Sequence, residues 1–376
     1  LGGWGGGLAL ISPNPWRRLC LVWSGVGPPH DTTARELARR FTAAGHRAEV
    51  VDLLGLLPAG VGTALRDGYA AMLRRTPWVY DGIYRAFFVP SGRTAPSTSP
   101  LVRLAARALR PVIARTRPTA VLSTFHLCGQ AAGLLRRQGR LHVPSVVVVS
   151  EAVAHALWLE PSTDIFSCLF PSIAAEATRR TGRPAIAPGP VVDPAYRAPR
   201  PPAPGRRSLG LGASERAVLI GTGSWGVGAA VSTATALRAL PGVRPVLLCG
   251  RNERLRTRAG DTPGVLGLGW RTDLPDLVAA ADLLIDNAGG STCLEAFAAG
   301  LPVIMHRPVP GHGGPVADAL TAEGLLRRAD TEAELRAAVT AGRAAGRATA
   351  ARARGIFAAD PAEAILAVLA ERYAVR

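Results

Sequence analysis

Lysine is absent from this 376-residue chain. All 44 of its basic residues outside histidine are therefore arginine, and against 27 acidic residues they leave a net charge of +17. Coding bias accounts for the kind of cation but not for the excess of cations over acids. Residues 1–195 carry 22 arginines against 11 acids and the remainder 22 against 16, so the excess is concentrated at the front. An anionic membrane, nucleic acid or an anionic substrate would each attract such a surface. Nucleic acid is not an expected partner, because the chain has no aromatic-basic RNA motif and no helix-turn-helix pattern. Five cysteines (Cys20, Cys128, Cys168, Cys249 and Cys293) are widely separated, and no pair has metal-ligand spacing. They suit buried thiols in a reducing compartment. No Asp-x-Asp triplet or His/Cys cluster occurs, so no metal and no bound cofactor is expected. No apolar run is long enough to span a bilayer. In the opening stretch Arg17 and Arg18 follow the apolar part instead of preceding it, the reverse of a signal peptide, so residues 1–17 are expected to form a flexible leader. A cytoplasmic protein follows, peripheral to a membrane at most.

What is present is a repeated alternation of strand and helix signals. Leu19–Trp23 is a buried strand and Asp31 opens a helix whose Ala34, Leu37, Ala38 and Phe41 share one face. Gly45 ends that helix, and Ala48–Asp52 is the next strand. Further strands are predicted at Ala120–Ser123 and Ser145–Val149. Residues 18–195 thus form one parallel, doubly wound α/β domain. Tyr196–Arg207 holds four prolines, which excludes helix and central strand and marks 196–216 as a Pro/Arg-rich linker. The alternation then restarts at Ala217–Ile220, giving a second Rossmann-like domain over 217–376.

The most informative segment is Asp286 to Pro302. It follows the apolar strand Leu283–Ile285, passes through Gly289 and Gly290 into a short helix, and leads to a second apolar strand, Val303–Met305. The first amides of a helix have no partner in the helix itself, and a glycine pair lets an anion approach them closely. Glu295, one turn in, can accept hydrogen bonds from sugar hydroxyls. A nucleotide-sugar diphosphate fits this arrangement. Thr292-x-x-Glu295 is equally a capping box and Gly300-x-Pro302 an ordinary helix stop, although a cap does not require the glycine pair.

These motifs occur in an order that resembles GT-B glycosyltransferases. The branch is that of monogalactosyldiacylglycerol synthases, diacylglycerol glucosyltransferases and the N-acetylglucosaminyl transferase of peptidoglycan precursor synthesis. In the first domain the resemblance rests on Ser24-Gly25-Val26-Gly27-Pro28-Pro29-His30, Gly45-His46, Val50-Val51-Asp52, Tyr69 to Leu73, Thr76-Pro77 and Tyr80. In the second it rests on Gly221-Thr222-Gly223-Ser224-Trp225-Gly226, Cys249 to Asn252, Gly269-Trp270, Asp273-Leu274-Pro275, the glycine-pair motif and Pro310 to Gly313. The resemblance implies two Rossmann-like domains facing each other across a cleft. It implies a hexosyltransferase that moves a sugar from a UDP-sugar to a lipid hydroxyl with inversion and without a metal. Glu295 would hold the ribose, and the amides about Gly289, Gly290, Ser291 and Thr292 would face the pyrophosphate. Gly221, Gly223, Ser224, Trp225, Gly226, Asn252, Trp270 and His312 would line the donor side. His30, after the first strand, would be the general base or bind an acidic headgroup.

The chain departs from the family at Pro28-Pro29, which stand in place of glycines, at His312-Gly313 in place of Gln-Glu, and at Val316 in place of Asn. A soluble acceptor, or nucleotide-sugar binding without catalysis, are the alternatives. A nicotinamide site is not expected, since Gly25-x-Gly27 lacks its third glycine. Tyr69, Trp78, Tyr80, Tyr84, Phe87 and Phe88 lie among Arg74, Arg75 and Arg85, followed by a basic helix over Leu101–Thr116. These suit an anionic bilayer interface, at the inner face of the plasma membrane.

Overall fold

The computed structural model describes residues 18–23, 28–89, 92 and 94–373. The Ser24–Gly27 part of the first glycine-rich loop and the expected leader lie outside the described residues, as does the side chain of Cys20.

Two all-parallel, six-stranded sheets form the framework. The first contains β1 (Arg18–Trp23), β2 (Arg47–Asp52), β3 (Ala120–Ser123), β4 (Ser145–Val149), β5 (Ile165–Cys168) and β6 (Ala185–Ile186), in the order β2-β1-β3-β4-β5-β6. The second contains β7 (Arg216–Gly221), β8 (Val243–Leu248), β9 (Leu266–Leu268), β10 (Leu283–Asp286), β11 (Val303–His306) and β12 (Arg327–Ala329), in the order β12-β11-β10-β7-β8-β9. Central strands such as β4 and β10 are buried along their whole length. That is why they read as continuous apolar runs and not as alternating ones. The α/β expectation of two Rossmann-like domains holds.

In each sheet the strand order reverses next to the first strand, between β1 and β3 and between β7 and β10. Loops beyond the carboxyl ends diverge at such points and leave a crevice. The two lobes meet across it. The Gly311 amide donates to Asp81 at 3.0 Å, the Tyr80 hydroxyl lies 3.2 Å from His312 Nδ1, and Ser172 donates to Glu323 at 2.6 Å.

Three expectations need correction. Ala203–Ser208 inside the expected linker is helical, because Pro202 is its N-cap and Pro204 lies in its first turn, where no intrahelical donor is lost. The helix packs on Leu274–Ala280, so closely that a Cβ on Gly205 would lie 2.2 Å from the Asp276 carbonyl oxygen. The second domain does not keep the chain to its end. The helix Pro361–Tyr373 returns to the first lobe, burying Ala362, Ile365, Val368 and Leu369 with Leu37 and Phe41. Finally, the apolar face of the helix Pro100–Thr116 is core: Val102, Ala105, Leu109 and Val112 pack with Leu127, Ala131 and Leu135 of the helix His126–Arg137. The prediction of a helix there is sound, but its apolar side is not available to a membrane.

Candidate active site

The glycine-pair motif builds an open helix N-terminus. Gly290 is the N-cap of the helix Ser291–Ala299, and no side chain caps it. The capping box therefore does not form. Thr292 lies inside the first turn, and Glu295 turns to the Tyr196 hydroxyl. The Asp286 carboxylate accepts from the amides of Ala288 at 2.8 Å and Gly289 at 2.5 Å and so fixes the turn that precedes the helix. Gly289 adopts φ +66°, and a Cβ there would lie 2.3 Å from Val316 Cγ1. A Cβ on Gly290 would meet nothing within 4 Å. One glycine is thus required by packing, and the other faces free space in front of unpaired amides. Val316 is buried against this turn.

Glu295 behaves as a buried acid. Burial pushes its carboxyl up to about 7, with Asp193 adding repulsion and the Tyr196 hydrogen bond opposing both, and its Oε2 has no hydrogen-bond partner among the described residues. Of the other expected donor residues, Gly221 ends β7, and Gly223, Ser224, Trp225 and Gly226 form the loop that follows it, beside the motif. Asn287 ties the two together by donating to the Val227 carbonyl at 2.9 Å. Asn252 is occupied with structure: its amide donates to the Gly226 carbonyl at 3.1 Å, and its oxygen accepts from the Leu255 amide at 3.1 Å. It shapes the loop from behind. Trp270 is 51% exposed, with the Arg251 guanidinium 4.7 Å from its ring centroid, a flat platform for a base. His312 points away from this group, toward Tyr80 of the first lobe.

His30 lies in the first turn of the helix Pro28–Ala43. The prolines that replace family glycines open this helix, where their missing N–H groups cost no helical hydrogen bond but remove two donors from the loop. Asp31 pairs with Arg35 at 2.5 Å instead of capping. The His30 ring is edge-on to Phe125 at 4.8 Å, its Nδ1 is 3.5 Å from Ser150 Oγ, and the ring also hydrogen-bonds the Thr124 backbone. Burial lowers its pKa, against the opposing field of Glu151.

Sequence reasoning missed the group around it. Directly after β4 come Glu151, His155 and Trp158, and His126 follows β3. His155 Nε2 is 3.4 Å from Glu151 Oε2, while the His126 and His155 rings are 5.4 Å apart. His126 Nδ1, His155 Nδ1 and Trp158 Nε1 are buried without a hydrogen-bond partner among the described residues. Three such atoms in one cluster mark a place for a polar guest. The available signal was position: an acid with a histidine four residues on, at the carboxyl end of a central strand.

Comparison with known proteins bears on both lobes. Residues 30–185 match the monogalactosyldiacylglycerol (MGDG) synthase family model. The processive diacylglycerol beta-glucosyltransferase of Bacillus subtilis is 27% identical over 205 residues, covering 52% of this chain and 53% of that protein. The chloroplastic monogalactosyldiacylglycerol synthase of Spinacia oleracea is 25% identical over 315 residues, 72% of this chain and 58% of its own length. The chain spans about half the length of the curated relatives it matches. Among solved structures, Anabaena Alr3699/HepE in complex with UDP and glucose superposes with a TM-score of 0.58 at 17% identity, covering 96% of this chain and all of the other. By two lobes closing on a cleft the chain has the GT-B fold, and by motif order and these likenesses it is similar to monogalactosyldiacylglycerol synthases and diacylglycerol glucosyltransferases.

Proposed function

We propose that the chain is a hexosyltransferase that transfers a sugar from a UDP-sugar to the hydroxyl of a diacylglycerol-type lipid, with inversion and without a metal, at an anionic membrane surface. The observation that carries this reading is the uncapped N-terminus of the helix Ser291–Ala299, open at Gly290 and backed by the partnerless Glu295 oxygen. Amides there offset the charge that develops on a departing diphosphate, the role a cation plays elsewhere. The ribose hydroxyls donate to Glu295, and Trp270 offers its face to the base.

The lipid half of the proposal draws on the family likeness and on the surface beside the first lobe's site. The ring-rich segment divides in two. Tyr80 and Tyr84 are buried at the cleft, whereas Trp78 and Phe87 are 72% and 62% exposed, with Val89 and Leu56 also exposed nearby in the sequence. Arg74, Arg75, Arg103, Arg107 and Arg110 are exposed in the same lobe. Aromatic bodies with guanidinium neighbours are suited to entering a headgroup layer. No helix among the described residues is long and apolar enough to cross a membrane. We place the enzyme at the cytoplasmic face, which suits the four buried thiols that take part in no disulfide among the described residues.

The test is to incubate the protein with labelled UDP-glucose, UDP-galactose and UDP-N-acetylglucosamine and vesicles containing diacylglycerol and phosphatidylglycerol. Glycolipid formation that falls with rising salt, and falls further in a Trp78→Ser/Phe87→Ser double variant, is expected. UDP binding without transfer to lipid or to any soluble alcohol would leave a nucleotide-sugar-binding protein. Transfer to soluble alcohols alone would make the acceptor a natural product.

A further inference from the structure

We propose that Glu151, and not His30, is the general base that takes the proton from the acceptor hydroxyl. The inference rests on the transfer reaction proposed above. In that step the acceptor oxygen bonds to the anomeric carbon, the bond from that carbon to the β-phosphate oxygen breaks, UDP leaves with the electron pair, and the hydroxyl proton goes to a carboxylate oxygen of Glu151.

Four observations point to this residue. First, a base must present a free lone pair. The His30 ring is held within its own lobe, with Nδ1 3.5 Å from Ser150 Oγ and a hydrogen bond to the Thr124 backbone. Glu151 Oε2 faces His155 Nε2 at 3.4 Å, whereas Oε1 has no hydrogen-bond partner among the described residues. Second, the Glu151 side chain is 30% exposed, so the carboxylate reaches the cleft that an acceptor must enter. Third, no arginine neutralises it. In a chain where Glu36, Asp164, Glu160, Glu176 and Asp273 all pair with arginine, the only ion-pair partner of Glu151 among the described residues is a histidine. Fourth, the position is central. Glu151 interacts electrostatically with His30 and His126 beside it, with Tyr69, Tyr80 and Tyr84 from the cleft-side helices, and with His312 from the donor lobe. A group felt from both lobes is where the two substrates meet.

The surroundings also keep Glu151 ready. Burial among rings would raise its pKa, but the hydrogen bond from His155 outweighs this and, with the field of any neighbouring imidazole that is protonated, keeps the carboxyl below its usual range. The neighbouring imidazoles His30 and His126 are pushed toward the neutral form by burial. After transfer, the proton on the partly exposed Glu151 carboxyl is released to solvent.

The experiment compares E151Q, E151D and H30N with the wild type in glycolipid formation on diacylglycerol vesicles, with UDP affinity measured by calorimetry. Removing a general base typically costs about 10²–10⁴-fold. E151Q is expected to lose about that factor in kcat while its UDP affinity stays within a few-fold. E151D is expected to keep at least tenfold more activity than E151Q. H30N is expected to retain about a tenth or more of wild-type kcat. A fully active E151Q, or an H30N variant that loses as much kcat as E151Q at unchanged UDP affinity, overturns the assignment. If E151Q fails to bind UDP, E151D decides: unreduced kcat in that variant overturns the proposal, and reduced kcat at unchanged UDP affinity supports it. A wild type that transfers to no acceptor defeats the transferase reading itself, whereas transfer that survives in E151Q defeats only the role of Glu151.

Discussion

Glu295 shows how surroundings change the acidity of one side chain. On an exposed helix it would be an ordinary carboxylate. Here burial raises its pKa to about 7, and the linker residue Tyr196 gives it one hydrogen bond. The sign of the linkage follows. A carboxyl whose folded pKa lies above its unfolded value near 4.5 stabilises the fold below that value, and the contribution is lost as pH rises through about 7. Ligand binding runs the other way, because ribose hydroxyls donate more strongly to the ionised carboxylate. UDP affinity should therefore rise between pH 6 and 8 more steeply in the wild type than in Glu295→Gln, measured by calorimetry in parallel so that ionisation of UDP itself cancels. Equal slopes in the two proteins would remove Glu295 from the ribose site. The sequence names this residue and its helix. It does not reveal Tyr196, because the partner comes from a proline-rich segment whose path is set by packing against the second lobe.

At the scale of elements, the two glycines before the helix Ser291–Ala299 make opposite predictions from adjacent positions. Gly289 has a left-handed φ, and a side chain there would run into Val316 and Leu320. Gly289→Ala should destabilise the second lobe by about 1–3 kcal/mol, from backbone strain and overpacking together. Gly290→Ala should leave stability within about 0.5 kcal/mol, since surface changes away from packed features seldom do more. It should still weaken UDP binding, because its methyl group projects into the space in front of the amides. Thermal unfolding and UDP titration on both variants check the pair, and a Gly290→Ala protein with unchanged affinity removes the anion from this helix. The same scale shows what the sequence conveys. Fully buried strands such as β4 and β10 appear as apolar runs, and the turn after β10 appears as a motif. Helix Ala203–Ser208 is hidden by prolines, which break a helix in its middle but not at its start. Glu151 is hidden for another reason: a lone acid after a strand has no motif, and only the sheet order brings it beside His30 and His126.

For the whole molecule, the unanticipated feature is that the chain crosses between lobes twice. Amphipathic spacing in the helix Pro361–Tyr373 announces that one face will be buried, but it cannot say against which sheet. The outward crossing and the return are held by one residue. Arg40, on the helix that carries His30, donates to the Val192 carbonyl at 2.7 Å and to Asp360 at 3.2 Å, while Glu36 accepts from it at 2.7 Å. Beneath this clasp, Ile365 and Leu369 are fully buried on Leu37 and Phe41. The last helix therefore belongs energetically to the first lobe, although the second lobe precedes it in the chain. Leu369→Ala should cost about 2–5 kcal/mol, the range for a large-to-small change in a closed core. The loss should be local. Amide exchange is expected to quicken in β1 and the helix Pro28–Ala43 while β10 and β11 keep their protection. Because that helix seats His30, transfer should fall while UDP affinity holds. Faster exchange in both sheets, or loss of UDP binding in step with transfer, would show instead that the two lobes unfold as one body and that the returning helix serves them equally.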